Sequence, residues 1–255
     1  MVTNFLGFYQ AILYHKIMIL AIDIGNTNIH LGFYADDKFI ANETIPNTSI
    51  NKVFLDKVLK INGGRKIISL VKNILVSSTC PEVDRIINEW CKKVFKIKPL
   101  RAGKDFPIPI VNQTAQPEKV GKDRLLNALA ARQIVKGKNP IVVISCGTAI
   151  TFDVISHKGE FLGGVIAPGF HTMTESLHQN CALLPLIKPV KKEPQIIGKN
   201  TEDAINSGVY YGTIGLVKNI VRELVNELKV KPSNLRIILT GGDAKLVKPE
   251  LPFKS

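Results

Sequence analysis

Residues 18–34 read MILAIDIGNTNIHLGFY: an apolar run, an acid, a tight turn of small residues, and a second run with strand alternation. This is the pattern of a β-hairpin that holds something at its bend. The first run, Ile19-Leu20-Ala21-Ile22, is continuously apolar, which predicts a strand buried on both faces. Asp23 stands where that strand leaves the core. Gly25 supplies a residue able to take positive φ, and Asn26, Thr27 and Asn28 carry side chains that hydrogen-bond readily in turns. Such a turn offers backbone N–H groups and a hydroxyl to an anion, and the adjacent Asp23 carboxylate can hold Mg²⁺ through water. Phosphate with Mg²⁺ is the ligand these groups suit. The same residues also suit an ordinary hairpin closed by an Asx-type turn, and spacing alone leaves both readings open.

A second stretch, 140–168, repeats the design as PIVVISCGTAITFDVISHKGEFLGGVIAP. It holds an apolar strand (Ile141 to Ile144), a small-residue turn (Ser145 to Thr148), a strand (Ile150 to Ile155), a polar turn and a further strand (Phe161 to Ile166). The first copy likewise continues through Ala35-Asp36-Asp37 into a third strand, Lys38 to Thr44. Chance likeness of two short hairpins is the bland alternative. A true duplication predicts two similar domains whose turns face each other across a cleft, one turn for each end of a polyphosphate.

The rest of the chain fits α/β domains around those hairpins. Helical spacing predicts a helix over Ser49 to Ile61 and another over Pro81 to Val94, with Pro at its first turn, separated by a strand within Lys72 to Thr79. Leu100 to Val111, with Pro107 and Pro109, reads as an irregular or edge segment and a linker region. Pro117 or Glu118 opens a predicted helix with its apolar stripe at Leu125, Leu126, Leu129, Ala130 and Ile134. Asp123 and Arg124 precede that stripe. They read either as a weak surface pair or as a general base beside an anion-recognising cation. Gly163, Gly164 and Gly169 permit close backbone approach, and a helix with Met173 and Leu177 follows. Lys188 to Lys199 reads as a loop. Asn200 or Thr201 caps a long helix, Leu235 to Leu239 forms the last clear strand, and Thr240-Gly241-Gly242-Asp243 makes a turn suited to closing over a nucleotide.

Composition narrows the function classes. With 255 residues the chain can bury an ample core, and no window holds eighteen uninterrupted apolar residues, so a transmembrane helix is not expected and the cytosol is the default compartment. Residues 1–17 lack the basic start and small-residue cleavage site of a signal peptide. Cys80, Cys91, Cys146 and Cys181 lie far apart without metal-ligand spacing, and Cys146 reads as a buried filler rather than a nucleophile. A net charge of +13 allows nucleic acid, an anionic membrane surface or anionic small substrates. The lysines are scattered and not interleaved with aromatics, which argues against nucleic acid, and the basicity favours ATP and an acidic substrate; no membrane partner is expected.

Taken together, the motifs identify a resemblance. DIGNT (Asp23 to Thr27), GKDR (Gly121 to Arg124), CGTAITFD (Cys146 to Asp153), GGVIAPG (Gly163 to Gly169), Asn200-Thr201 and TGGDA (Thr240 to Ala244) stand in an order and spacing that resembles type III pantothenate kinase, the Bvg accessory factor-like family. The likeness covers nearly all of Met18 to Leu251. It implies an α/β fold of two ribonuclease-H-like domains of the actin, sugar kinase and Hsp70 ATPase type, with duplicated mixed sheets and flanking helices. The expected division is an extension at 1–17, a first domain at 18–115 and a second at 116–255, the latter without the family's usual last strand and helix.

The family's activity is ATP-dependent phosphorylation of pantothenate to 4′-phosphopantothenate, the first step of coenzyme A biosynthesis. By that resemblance Asp23, Gly25, Asn26, Thr27 and Asn28 hold ATP phosphates, with Asp23 on Mg²⁺. Gly147 and Thr148 grip phosphate from the second domain, and Gly241 and Gly242 line the nucleotide. Gly121, Lys122, Asp123 and Arg124 bind pantothenate, Asp123 being the catalytic base and Arg124 the partner of the substrate carboxylate, and Thr201 completes that site. The resemblance also implies a homodimer with its substrate site at the subunit interface and a monovalent cation, K⁺ or ammonium. Two positions depart from the pattern: Thr114 stands where relatives commonly have Tyr, and Ser145 where they commonly have the Asp associated with that cation. Rival functions on the same fold are a non-catalytic ATP-binding or regulatory protein and a kinase for another small hydroxy acid.

Overall fold

Each hairpin stretch becomes the centre of a mixed sheet. The computed structural model describes residues 17–35, 38–50, 65–190 and 192–250. The helix expected at Ser49 to Ile61 lies almost wholly outside these. Contacts divide the chain into two units, Met1–Ile108 with Gly121–Asp123, and Pro109–Val120 with Arg124–Ser255.

In the first unit, β1 (Met18–Ile24), β2 (Asn28–Ala35) and β3 (Lys38–Pro46) form an antiparallel meander. β4 (Val71–Ser78) and β5 (Leu100–Arg101) add in parallel on the other side of β1, giving the order β3-β2-β1-β4-β5. A short helix, α1 (Arg65–Leu70), leads into β4, and α2 (Pro81–Val94) follows it. α2 has Pro at its start, Glu82 and Asp84 in its first turn, and Lys92 and Lys93 in its last, all in accord with the helix dipole. Its Val83, Ile87, Trp90 and Cys91 pack into one core with Leu20, Ile22, Ile24 and Ile74. Asp84 also grips Arg101 of β5 through two hydrogen bonds of 3.1 Å.

The burial of β1 corrects an expectation. Met18, Leu20, Ile22 and Ile24 are buried, while Ile19 and Ala21 are half-buried and Asp23 is exposed, so the strand alternates although its sequence does not. Among the described residues, the opposite face is only partly covered. The two-sided burial that a continuous apolar run predicts occurs instead in β6 (Ile141–Cys146), where Ile141 through Ile144 are all buried.

The second unit repeats the order. β6, β7 (Ala149–Ile155) and β8 (Phe161–Pro168) form the antiparallel meander, and β9 (Arg236–Thr240) lies parallel to β6, giving β8-β7-β6-β9. This is the first sheet's arrangement without a fifth strand among the described residues. Two mixed sheets of one topology with flanking helices make the duplicated α/β fold of the actin-like and sugar-kinase-like class.

Three further helices bear on the site, the first of which starts with two residues of the first unit. α3 (Lys122–Ile134) starts later than Pro117, because Pro117–Lys119 forms a 3₁₀ turn and Val120 is extended. Its buried face is Leu125, Ala128 and Ala131, while Ala130 and Ile134 are exposed, so the expected stripe is rotated. α4 (Phe170–Asn180) follows Gly169, and α5 (Thr201–Glu227) is capped by the Asn200 side chain, which accepts from the Asp203 N–H at 2.9 Å. α5 then buries Val209, Tyr210, Ile214, Val217 and Val221 against the β6–β9 core. A short α6 (Ala244–Val247) follows β9.

Candidate active site

In each unit the candidate phosphate turns stand at the carboxyl ends of the parallel strands, where open α/β sheets bind ligands. In the first unit these are the ends of β1 and β4. Asp23 pairs in register with Ser77 of β4 on one side and with His30 of β2 on the other. Asp23 is exposed by area, yet protein crowds its carboxyl enough to raise its pKa above 3.8. Desolvation is the main cause; the Ser77 hydroxyl lowers the value, the charge of Asp123 raises it and His30 lowers it. Ser77 Oγ is buried with no partner at full hydrogen-bond geometry, so its effect on Asp23 is one of proximity.

That arrangement fits a divalent cation. A desolvated carboxylate, a second carboxylate close enough to repel it, and an orphaned buried hydroxyl together favour an added positive charge with its bound waters. Among the described residues no group of three or more His, Cys, Asp or Glu forms a ready-made metal cage. One or two carboxylates plus phosphate oxygens is the donor set usual for Mg²⁺ on a nucleotide.

The turn after Asp23 is held from behind. Ile24 O accepts from Thr79 N at 2.8 Å and Thr79 Oγ1 at 3.1 Å. Gly25 O and Asn26 O accept from the Asn47 side-chain amide at 2.9 and 2.8 Å, and Thr27 O accepts from the Asn47 N–H at 2.8 Å. Gly25 is not at positive φ, contrary to expectation. A Cβ there would meet Asn28 O at 3.2 Å, so closeness within the turn is what favours glycine.

The second unit builds its turn similarly with other residues. Cys146 O accepts from Asp243 N at 3.1 Å, and Thr148 O accepts from Gly169 N at 2.9 Å and Thr172 Oγ1 at 2.6 Å. Gly169 is needed because a Cβ would stand 1.9 Å from Gly147 O. Gly241, at φ +93°, lies over Cys146, whose carbonyl a Cβ would approach to 2.2 Å. These contacts bring Gly147, Thr148, Gly241 and Gly242 to one end of the sheet, with Ser145 opposite Thr240 in register. Burial pushes the Cys146 thiol up to about 12, with the Asp243 charge adding to the rise. It stays protonated and serves as core, as its sequence context suggests.

The GKDR segment is divided by its contacts. Lys122 lies across Gly103, where a Cβ would touch its stem at 2.9 Å, and Asp123 acts on Asp23 within the first unit. Arg124 does not pair with Asp123. Its Nε donates at 2.6 Å to Oδ1 of Asp153, a fully buried carboxylate that also accepts from Thr151 Oγ1 at 3.2 Å. The Phe161 ring lies 5.5 Å from the guanidinium, and Gly164 leaves room for it. One terminal nitrogen of Arg124 is buried with no hydrogen-bond partner, which leaves a donor for an anion. Thr201 is the exposed first residue of α5. Thr114 hydrogen-bonds Asn112 and sits 3.6 Å from the Cβ position of Gly163.

A family model described as type III pantothenate kinase matches residues 19–223. The chain belongs to the type III pantothenate kinase family. It is 36% identical over 240 residues to a type III pantothenate kinase of Sulfurihydrogenibium sp., covering 92% of each chain. With the Persephonella marina type III pantothenate kinase it shares 34% identity over 235 residues, 90% of this chain and 89% of the relative. A Baf family protein of Campylobacter jejuni has a similar fold, with a TM-score of 0.50 at 23% identity over 91% of this chain and 88% of that one. Asn47, Ser77, Thr79, Asp153 and Thr172 were not among the site residues that this family's motifs suggested. Asp153 lay inside one of those motifs, whereas Asn47 and Thr79 carry no local signal, since their partners lie 21 to 55 residues away in sequence.

Proposed function

We propose that the protein transfers the γ-phosphoryl group of ATP to the terminal hydroxyl of pantothenate, giving 4′-phosphopantothenate and ADP. The observation that carries this, within a chain of the family, is the turn after Asp23, whose carbonyls from Ile24 to Thr27 are tied back by Thr79 and Asn47, beside a carboxyl that feels the charge of Asp123. In this reading the hydroxyl oxygen attacks phosphorus, the bond to the bridging oxygen of ADP breaks, and Asp123 takes the hydroxyl proton. Phosphoryl transfer needs mainly positioning and charge neutralisation.

The turn at Gly25 to Asn28 and the turn at Gly147 and Thr148 take phosphate oxygens, and Gly241 and Gly242 line the nucleotide. Asp23 holds Mg²⁺, which when bound neutralises phosphate charge. Lys122 and Gly121 line the acid substrate, Thr201 adds a hydroxyl to it, and Arg124 offers its unpartnered nitrogen to the carboxylate. Ser145 presents a neutral hydroxyl where relatives commonly place a carboxylate, so the residues present do not fit a tightly held K⁺ or ammonium ion. In this reading the active form is a homodimer, and nucleic acid and membrane are not partners.

The test is ADP release with a panel of hydroxy acids. Turnover with pantothenate well above the other acids supports the reading, equal or better turnover with another acid moves the activity to that substrate, and no ADP release with any acid favours a non-catalytic role.

A further inference from the structure

Four successive carbonyls around the first turn, Ile24 to Thr27, are each engaged by one of two residues. Thr79 takes Ile24, and Asn47 takes Gly25, Asn26 and Thr27. No peptide bond here is cis, so each carbonyl fixes the next N–H in the opposite direction. Carbonyls drawn towards Asn47 therefore aim the N–H groups of Asn26, Thr27 and Asn28 away from it. Three N–H groups converging on one side of a turn are the geometry that holds an anion.

Asn47 meets a cost in taking this position. Two carbonyl oxygens at 2.8 and 2.9 Å require that its NH₂ face the turn, since its oxygen there would oppose both. The oxygen, Oδ1, is then left buried without a hydrogen-bond partner. A buried orphan acceptor is ordinarily destabilising, so the side chain is held by what its NH₂ does for the turn rather than by its own satisfaction. Asn47 otherwise anchors little: it opens a single 3₁₀ turn, Asn47–Ser49, with no buried residue.

We propose that Asn47 is the positioning residue of the phosphate turn, setting the peptide planes of Gly25 to Asn28 so that their N–H groups receive the phosphates of the nucleotide. This rests on the reading of that turn as the ATP phosphate site. Asn47 touches no substrate; it acts through the backbone it holds. A related arrangement in the second unit, where Thr172 Oγ1 takes Thr148 O, assigns the same work to a different residue type.

The test compares Asn47→Ala and Asn47→Ser with wild type for ATP and adenosine affinity by calorimetry, KM for each substrate, and thermal unfolding. Asn47→Ala leaves two carbonyls unpaired, and a lost hydrogen bond of this kind corresponds to roughly a 10-fold weakening. The expected result is ATP affinity and KM for ATP worse by about 10-fold or more, with adenosine affinity and KM for pantothenate unchanged. Asn47→Ser, which keeps one short donor, recovers part of the loss. If Asn47→Ala does not fold, Asn47→Ser alone must show the ATP-specific loss. Equal loss for ATP and adenosine, or no loss at all, overturns the proposal. Thr27→Ala separates the two layers: if it weakens ATP binding while the Asn47 variants do not, the turn binds phosphate but Asn47 does not position it. If the Thr27 and Asn47 variants all leave ATP binding intact, the phosphate assignment of the turn itself fails.

Discussion

Asp153→Asn isolates the support beneath Arg124. Asp153 is fully buried, and 16% of the Arg124 side chain is exposed; a 2.6 Å bond joins them, and the Phe161 ring lies 5.5 Å from the guanidinium. Deleting one member of a buried pair costs about 3–5 kcal/mol. Asparagine keeps an oxygen that can accept from Nε, so what is lost is the charge of a charge-assisted bond, about 1.5–3 kcal/mol, part of which water at the exposed edge of Arg124 offsets. For a chain of this size that corresponds to a fall of roughly 3–12 °C in Tm. The functional consequence is selective: a guanidinium held only by an uncharged acceptor loses part of its aim at an acid substrate, raising KM for pantothenate by about 10-fold. KM for ATP stays near the wild-type value. Differential scanning calorimetry and initial rates with each substrate varied in turn measure both effects. A variant with unchanged Tm and unchanged KM for pantothenate would refute the argument that Asp153 holds Arg124 in place.

Asp123→Asn keeps the fold and both substrate affinities but lowers kcat by about 10²-fold or more, since a positioned base contributes 10²–10⁴; single-turnover rates check this, and near-normal chemistry removes Asp123 from the role. Asp23 carries a folded-state pKa above 3.8, so between that value and the raised one the folded protein holds a proton that the unfolded chain has released, and stability falls as pH rises through the window. Asp23→Asn therefore raises Tm at pH 7, and the gain disappears below pH 3.8. Added Mg²⁺ with ATP raises the Tm of wild type more than that of the variant, and a variant less stable than wild type at pH 7 contradicts the assignment. Ser145 predicts weak activation by monovalent cations: rates in K⁺, ammonium, Na⁺ and a bulky organic cation at matched ionic strength stay similar, whereas Ser145→Asp gains K⁺ activation. Strong K⁺ activation of the wild type would contradict it.

The hairpin stretches were legible because their information is local. Apolar runs, an acid at the strand end and small residues at the bend fall within 17 residues, and their repetition at 140–168 announced a duplicated sheet. Local sequence misled where burial depends on what covers the other side. Ile19 and Ala21 resemble Val142 and Ile144 in polarity, yet only the latter pair is fully buried, because β6 is covered on both faces. The stripe of α3 was misplaced for a related reason: Ala128 and Ala131 carry little hydrophobic signal, yet with Leu125 they form the buried face. Gly25 looked like a positive-φ residue, whereas the close approach of Asn28 O is what the structure shows. The pairings that brace the site were invisible: Thr79 bonds Ile24 across 55 residues, and Arg124 reaches Asp153 across 29. Polar side chains in a loop and in a strand look alike until the fold supplies their partners.

The central claim is phosphoryl transfer to pantothenate, and mass spectrometry of the product formed from γ-labelled ATP tests it most directly. The purified chain, given Mg²⁺, labelled ATP and pantothenate, is predicted to form 4′-phosphopantothenate carrying the label, in an amount matching the ADP released. Omitting pantothenate abolishes label transfer, and Asp123→Asn slows it by about 10²-fold or more. Unlabelled pantothenate recovered intact, with ATP bound but not consumed, would contradict the account.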